Sequence, residues 1–303
     1  MIKNYNRIYF LGIGGIGMSS LAFYLINDNK YVAGYDKVNS DITKSLSKNG
    51  AKIHFTDNYL SIPSQFLNQS ETLVVYTPAI SKFNKEYKYF KDNGFEILKR
   101  SELLGLISKD KFCIAIGGTH GKTTTSSILG HILFQSGVDV TAFVGGIVEN
   151  YNSNLIGNGK AVTVVEADEF DRSFLQLYPN IACITSMDAD HLDIYKEASS
   201  LEESFVTFSQ QVSETLIVAK GLPLKGLNYA VNETADYMAF NLKIESGKYI
   251  FDVKTPVSEI KNIEFHLPGK HNVMNALAAL AMADSYGVSL EGIKQRLATF
   301  KGV

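Results

Sequence analysis

The stretch KFCIAIGGTHGKTTT, Lys111–Thr125, joins a strand-like apolar run to a glycine loop and then to a helical pattern. Its core, Gly121-Lys122-Thr123, has the chemistry of a phosphate loop. The Lys122 ammonium can reach β- and γ-phosphates, and the Thr123 hydroxyl can coordinate Mg²⁺. The usual spacing G-x-x-x-x-G-K-[ST] is not met, because Ile116 stands at the first glycine position. Gly117 and Gly118 still supply backbone freedom ahead of the core. A glycine turn with an exposed lysine would account for the letters alone. The strand before it, and the apolar face Ile128, Leu129, Ile132 and Leu133 behind it, favour ATP-type phosphate binding.

A second glycine loop stands near the start of the chain. RIYFLGIGGIG, Arg7–Gly17, runs a strand into G-x-G-x-x-G through Gly12, Gly14 and Gly17. A helical pattern follows at Met18, Leu21, Ala22, Leu25 and Ile26. In that context the backbone can approach a diphosphate, whose charge the helix N-terminus favours. Asp36 ends the next strand, where an acidic residue can bond a ribose hydroxyl. The motif leaves three readings: a bare turn, an NAD site, or a UDP site with the same diphosphate and ribose.

Composition bounds the rest. At 303 residues, 45% hydrophobic and 20% charged, the chain reads as two globular domains. A formal net charge of −2 gives no footprint for nucleic acid. Cys113 and Cys183 lie in apolar runs without a CxxC spacing, as buried thiols of a reducing compartment do. The N-terminal apolar run leads straight into a glycine loop, unlike a signal peptide, and no stretch approaches the length of a membrane span. The chain reads as cytoplasmic, without membrane insertion. Nothing in the pattern fixes an oligomeric state.

Strand-length runs (RIYFLG, YVAGYD, KIHF, TLVVYT) alternate with helical segments up to KRSELLGLISKD. This predicts an α/β protein, with a Rossmann-like parallel-sheet domain over 1–107 and a P-loop α/β domain over 108–303. In the second domain AVTVVE, NIACIT and TLIVAK read as buried parallel strands. The alternating segments LNYAV, YMAFNLKI, KYIFDV and IEFHL predict a small antiparallel sheet. HNVMNALAALAMADSYG carries an apolar helical stripe at Val273, Ala276, Leu277, Leu280 and Ala281.

A phosphate site also needs metal ligands. Glu166 closes AVTVVE at the start of the acidic run that includes Asp168, Glu169 and Asp171, and His191 follows NIACITSMDAD. Carboxylate and neutral imidazole are both usable ligands of Mg²⁺ or Mn²⁺. Taken singly, the acidic residues also read as a solvated loop, and a lone histidine is more often structural.

Five segments in order, GIGGIGMSSLA, GGTHGKTTT, EADEFDRSF, DADHLD and GKHNVMNALAA, resemble the Mur ligases of peptidoglycan synthesis over essentially the whole chain. The nearest branch is the one that adds L-alanine. That family's loop reads GT-x-GK-[ST], which accounts for Ile116. The resemblance implies that Gly12, Gly14, Gly15, Ile16 and Gly17 hold the diphosphate of UDP-N-acetylmuramate, with Asp36 near the uridine. It implies that Gly118, Thr119, His120, Gly121, Lys122, Thr123 and Thr124 hold the ATP phosphates, with Thr123 on a first Mg²⁺. Glu166 and His191 would bind a second Mg²⁺ (Mn²⁺ being possible) near the substrate carboxylate, and with Lys122 would form the catalytic set. His271, Asn272 and Asn275 would lie near the ATP base.

Sister ligases carry a carbamylated lysine downstream of the histidine. ESFVTFSQQ has no lysine, which fits the alanine-adding branch. The implied reaction activates a carboxylate with ATP as an acyl phosphate, which the amine of L-alanine then attacks. The family's third, Rossmann-like domain has no counterpart in these residues. The expectation is therefore a truncated ligase that binds its substrates and is inactive alone. Competing readings are a murein tripeptide ligase, a folylpolyglutamate synthase, an NAD-dependent dehydrogenase resting on the first loop alone, and a nucleotide-dependent binding module.

Overall fold

The computed structural model describes residues 2–188 and 198–303. The chain divides into two units, Met1–Asp110 and Lys111–Val303, each with its own apolar core.

The first unit runs β1 (Arg7–Leu11), α1 (Ile16–Asn27), β2 (Tyr31–Tyr35), α2 (Asp41–Lys48), β3 (Lys52–His54), β4 (Thr72–Tyr76), α3 (Lys85–Asp92), β5 (Glu96–Lys99) and α4 (Arg100–Ser108). Its five strands are all parallel, in the order β3-β2-β1-β4-β5. The central strand β1 is covered on both faces, so Ile8, Tyr9, Phe10 and Leu11 are fully buried and its sequence is a continuous apolar run. Strand order reverses beside β1, between β2 and β4. A crevice therefore opens past their carboxyl ends, where the loop Gly12–Gly17 lies.

A carboxyl group is enclosed in this core. Glu86, in the first turn of α3, is 0% exposed. It accepts the Tyr9 phenol at 2.7 Å and the Asn58 amide at 3.3 Å. His54 Nε2 meets the same phenol at 2.8 Å. Burial pushes the Glu86 carboxyl up to about 7, and burial lowers His54.

The second unit runs β6 (Phe112–Gly117), α5 (Lys122–Gln135), β7 (Val140–Val148), β8 (Ser153–Ile156), β9 (Val162–Ala167), β10 (Ile181–Ile184), α6 (Ala198–Gln210), β11 (Thr215–Ala219), β12 (Leu227–Val231), β13 (Tyr237–Glu245), β14 (Lys248–Lys254), β15 (Glu259–Phe265), α7 (Lys270–Tyr286) and α8 (Leu290–Leu297). Ten strands form one sheet, β15-β14-β13-β12-β11-β10-β6-β9-β7-β8.

The sequence pattern needs one correction here. LNYAV, which is β12, is not antiparallel: it pairs parallel with both β11 and β13. Residues 220–226 return the chain along β11 before β12 begins, with Ile217 opposite Leu227. Alternation along a strand reports burial on one face and carries no information about strand direction. The antiparallel part is β13-β14-β15, continuous with the main sheet, together with β7-β8 at the other edge.

Helix α7 packs on α5 and on β10 to β13. Every residue from Ala276 to Ala283 is fully buried, because alanines let the helix approach neighbours on several sides. Cys113 and Cys183 are free and buried, and burial pushes the Cys183 thiol up to about 12. No described helix is long and apolar enough to cross a membrane.

Candidate functional site

Strand β6 ends at Gly117 and α5 begins at Lys122, so the loop between them sits at the carboxyl edge of the sheet. Ile116 is still inside β6, fully buried and paired with Cys183 on one side and Glu166 on the other. An apolar residue suits that position, since the strand has not yet ended. Gly121 caps α5 with φ 81, and a Cβ there would lie 2.5 Å from Asn275 Oδ1. Left-handed backbone and close approach together require glycine.

The end of β10 braces the loop. The Thr185 amide donates to the Gly117 carbonyl at 2.9 Å, the His120 amide to Ser186 Oγ at 2.9 Å, and Thr119 Oγ1 meets Ser186 Oγ at 2.8 Å. The first turn of α5 is thereby held with its amides at the loop, a geometry that favours anions.

Register delivers Glu166 to the same place. It lies near the end of β9, opposite Ile116, and reaches the first turn of α5. Its Oε2 accepts the Thr123 hydroxyl at 3.2 Å. Its Oε1 accepts the Ser126 hydroxyl at 2.9 Å and the Gly145 amide at 2.6 Å. Burial raises its pKa, and these three hydrogen bonds pull the other way by favouring the carboxylate. Lys122 Nζ donates to Glu169 Oε1 at 3.0 Å and Oε2 at 2.8 Å.

From α7, Asn275 accepts the Thr125 hydroxyl at 3.3 Å and donates to Asn272 Oδ1 at 3.3 Å. His271 is exposed in the same first turn, and Thr124 is half-buried at the start of α5. Lys122, Thr123, Glu166 and Asn275 are thus gathered at one loop. His191 lies outside the described residues. Among the described residues, no three His, Cys, Asp or Glu side chains cluster to hold a metal by themselves. Thr123 and Glu166 offer a hydroxyl and a carboxylate. Those hard oxygens suit Mg²⁺, which takes its remaining ligands from phosphate and water.

Ser126, Gly145, Thr185 and Ser186 were not singled out by sequence reasoning. The last two follow β10 directly, so the rule that parallel sheets bind ligands at strand ends could have found them. Gly145 lies inside β7, whose role depends on a long-range neighbour.

At the first loop, the Gly14 amide donates to Asp36 Oδ2 at 2.7 Å, and Asp36 Oδ1 accepts the Val38 amide at 2.9 Å. Asp36 therefore pins the centre of the glycine loop to the end of β2. Gly12 and Ile13 both donate to the Tyr35 carbonyl, at 2.8 and 3.1 Å. Gly15 is the N-cap of α1, and Ile16 and Gly17 open its first turn. Arg100, at the start of α4, lies against Gly17: a Cβ on that glycine would be 3.0 Å from Nη1. Only the fold brings this arginine to the loop.

Both loops fall inside known family patterns. Residues 7–112 match the Mur ligase family, catalytic domain, and residues 116–283 match the Mur ligase middle domain. The chain belongs to the Mur ligase family. A UDP-N-acetylmuramate–L-alanine ligase of Flavobacterium psychrophilum is 57% identical over 304 residues, covering 100% of this chain and 68% of that protein. Among solved structures, the UDP-N-acetylmuramate-alanine ligase MurC of Thermotoga maritima is similar at TM-score 0.87 and 28% identity, covering 98% of this chain and 69% of that one. The UDP-N-acetylmuramate:L-alanyl-gamma-D-glutamyl-meso-diaminopimelate ligase (MPL) of Neisseria meningitides has TM-score 0.86 at 22% identity, covering 99% of each chain, and shares the fold. The two matches place both glycine loops within one family.

Proposed function

We propose that this Mur ligase chain holds UDP-N-acetylmuramate at its first loop and ATP with Mg²⁺ at its second, as parts of a ligase that adds L-alanine. Residues 1–107 form the UDP-sugar domain in this reading, and 108–303 the ATP domain. The observation that carries it is the convergence of Lys122, Thr123 and Glu166 on one loop at the N-terminus of α5. The 57% identity to a relative named for L-alanine addition favours that amino acid over the murein peptide alternative, which rests on fold alone. Such work on ATP and a nucleotide sugar puts the chain in the cytoplasm.

A carboxylate resists attack by an amine, so its oxygen must first become a leaving group. ATP transfers its γ-phosphoryl to the lactyl carboxylate of the sugar, giving an acyl phosphate and ADP. The L-alanine amine attacks the carbonyl carbon, phosphate leaves with the C–O bonding pair, and the amine loses a proton. Lys122 and the α5 amides hold and neutralise the phosphates, while Asn272, Asn275 and His271 lie on the side proposed for the base. When bound, Mg²⁺ would supply charge neutralisation between the two anions, a first ion held by Thr123 and a second by Glu166 and, by resemblance, His191. Gly14, Gly15 and the start of α1 take the UDP diphosphate, with Asp36 at the nucleoside side.

The Flavobacterium relative is longer, since its match to this chain covers 68% of it. We propose that turnover needs that further part. The test is ADP release from these 303 residues with ATP, Mg²⁺ and UDP-N-acetylmuramate, with and without L-alanine. Mg²⁺-dependent ATP binding with little alanine-dependent release is expected. Robust alanine-dependent release would overturn the inactivity, and absence of ATP binding would overturn the ATP reading.

A further inference from the structure

The Lys122 ammonium is enclosed by acceptors of its own unit. It donates to both Glu169 oxygens, at 3.0 and 2.8 Å, and to the Gly118 carbonyl at 2.5 Å. An ammonium has three N–H donors, and these contacts use all of them. The Glu169 side chain is 1% exposed and that of Lys122 17%, so the pair is withdrawn from water. In the ATP reading the same ammonium is needed by the β- and γ-phosphates. Three hydrogens cannot serve both sets of oxygens.

We infer that Glu169 is an internal competitor for Lys122, a buried carboxylate that holds the ammonium and from which a polyphosphate must win it. The inference rests on the reading of the second loop as an ATP site. A carboxylate in water would be a weak rival. A buried one resists losing its cation, because separating a buried, hydrogen-bonded ion pair is costly in a low-dielectric setting. The contact therefore weakens nucleotide binding by the cost of the exchange. Glu169 is a positioning residue, acting on phosphate through Lys122.

The test is a double-mutant cycle on the whole chain: wild type, Glu169→Gln, Lys122→Met and the double variant, titrated with Mg²⁺-ATP by calorimetry. Glu169→Gln is expected to tighten ATP by about tenfold. In the Lys122→Met background the same change should alter affinity by less than about twofold. Weaker ATP binding in Glu169→Gln would show that the carboxylate aims the lysine productively, and would overturn the inference. Equal tightening with and without Lys122 would also overturn it, by reducing the effect to plain repulsion of phosphate.

If Glu169→Gln fails to fold, Glu169→Asp draws the carboxylate back and should tighten ATP in the same Lys122-dependent way. If wild type binds no ATP, the loop reading fails by itself. The Lys122–Glu169 pairing is then tested apart from that reading by thermal unfolding of the same four proteins without nucleotide, and additivity of the two substitutions overturns it.

Discussion

The Gly145 amide donates to Glu166 Oε1 at 2.6 Å, joining β7 to the end of β9 beside the phosphate loop. A Cβ at Gly145 would lie 2.7 Å from Glu166 Oε2 and 2.9 Å from Thr123 Oγ1. Gly145→Ala must therefore move the proposed Mg²⁺ ligands. Mg²⁺-dependent ATP affinity should fall at least about tenfold, since small misplacements at a metal-phosphate site are costly. Binding of UDP-N-acetylmuramate should be unchanged. Calorimetry with each ligand separates the two effects.

Glu166→Gln keeps the shape and removes the charge. Burial already raises the pKa of this carboxyl, so folding bears a desolvation cost that a neutral amide avoids. The variant should melt at or above the wild-type temperature and still lose the Mg²⁺ dependence of ATP binding. A large fall in melting temperature would mean that Glu166 is chiefly structural.

Asp36→Asn tests the first loop. Asp36 accepts from the Gly14 and Val38 amides at once, and an amide side chain has only one acceptor oxygen for two donors. The loop should loosen, and UDP-N-acetylmuramate affinity should drop by about tenfold. ATP affinity, which belongs to the other unit, should not move.

Glu86 gives a pH prediction independent of any ligand. Its folded pKa of about 7 lies above its ordinary 4.5, so its stabilising contribution is full below about 4.5 and is lost as pH rises to about 7. His54, lowered by burial, acts in the opposite sense, costing stability as pH falls below its ordinary value. Wild type should therefore lose about 3 kcal/mol of stability relative to Glu86→Gln as pH rises through that window. Chemical unfolding at several pH values measures it, and a pH-independent difference would contradict the burial argument.

Much of this architecture was legible in the chain. Continuous apolar runs such as Ile8–Leu11 and Ile181–Ile184 mark strands buried on both faces, and each loop announces itself by glycines between a strand and a helix. The direction of β12 was not legible, because Tyr229 and Ala230 report burial and not the course of the connector. Site residues supplied by local sequence, Lys122 and Thr123, were readable. Partners supplied by sheet register or by distant segments, such as Gly145 and Arg100, were not, since no spacing rule connects them to the loops they touch. Ile116 looked like a defect in the motif and is a strand residue, fully buried between two parallel neighbours.

The central claim is that two loops serve two different nucleotides, an acceptor UDP-sugar and ATP. Calorimetric titration of the chain with UDP-N-acetylmuramate, UDP and NADH tests it most directly. Saturable binding of UDP-N-acetylmuramate, weaker binding of UDP and no binding of NADH are expected, with the first two weakened by about tenfold in Asp36→Asn. Clear binding of NADH with none of UDP-N-acetylmuramate would contradict it.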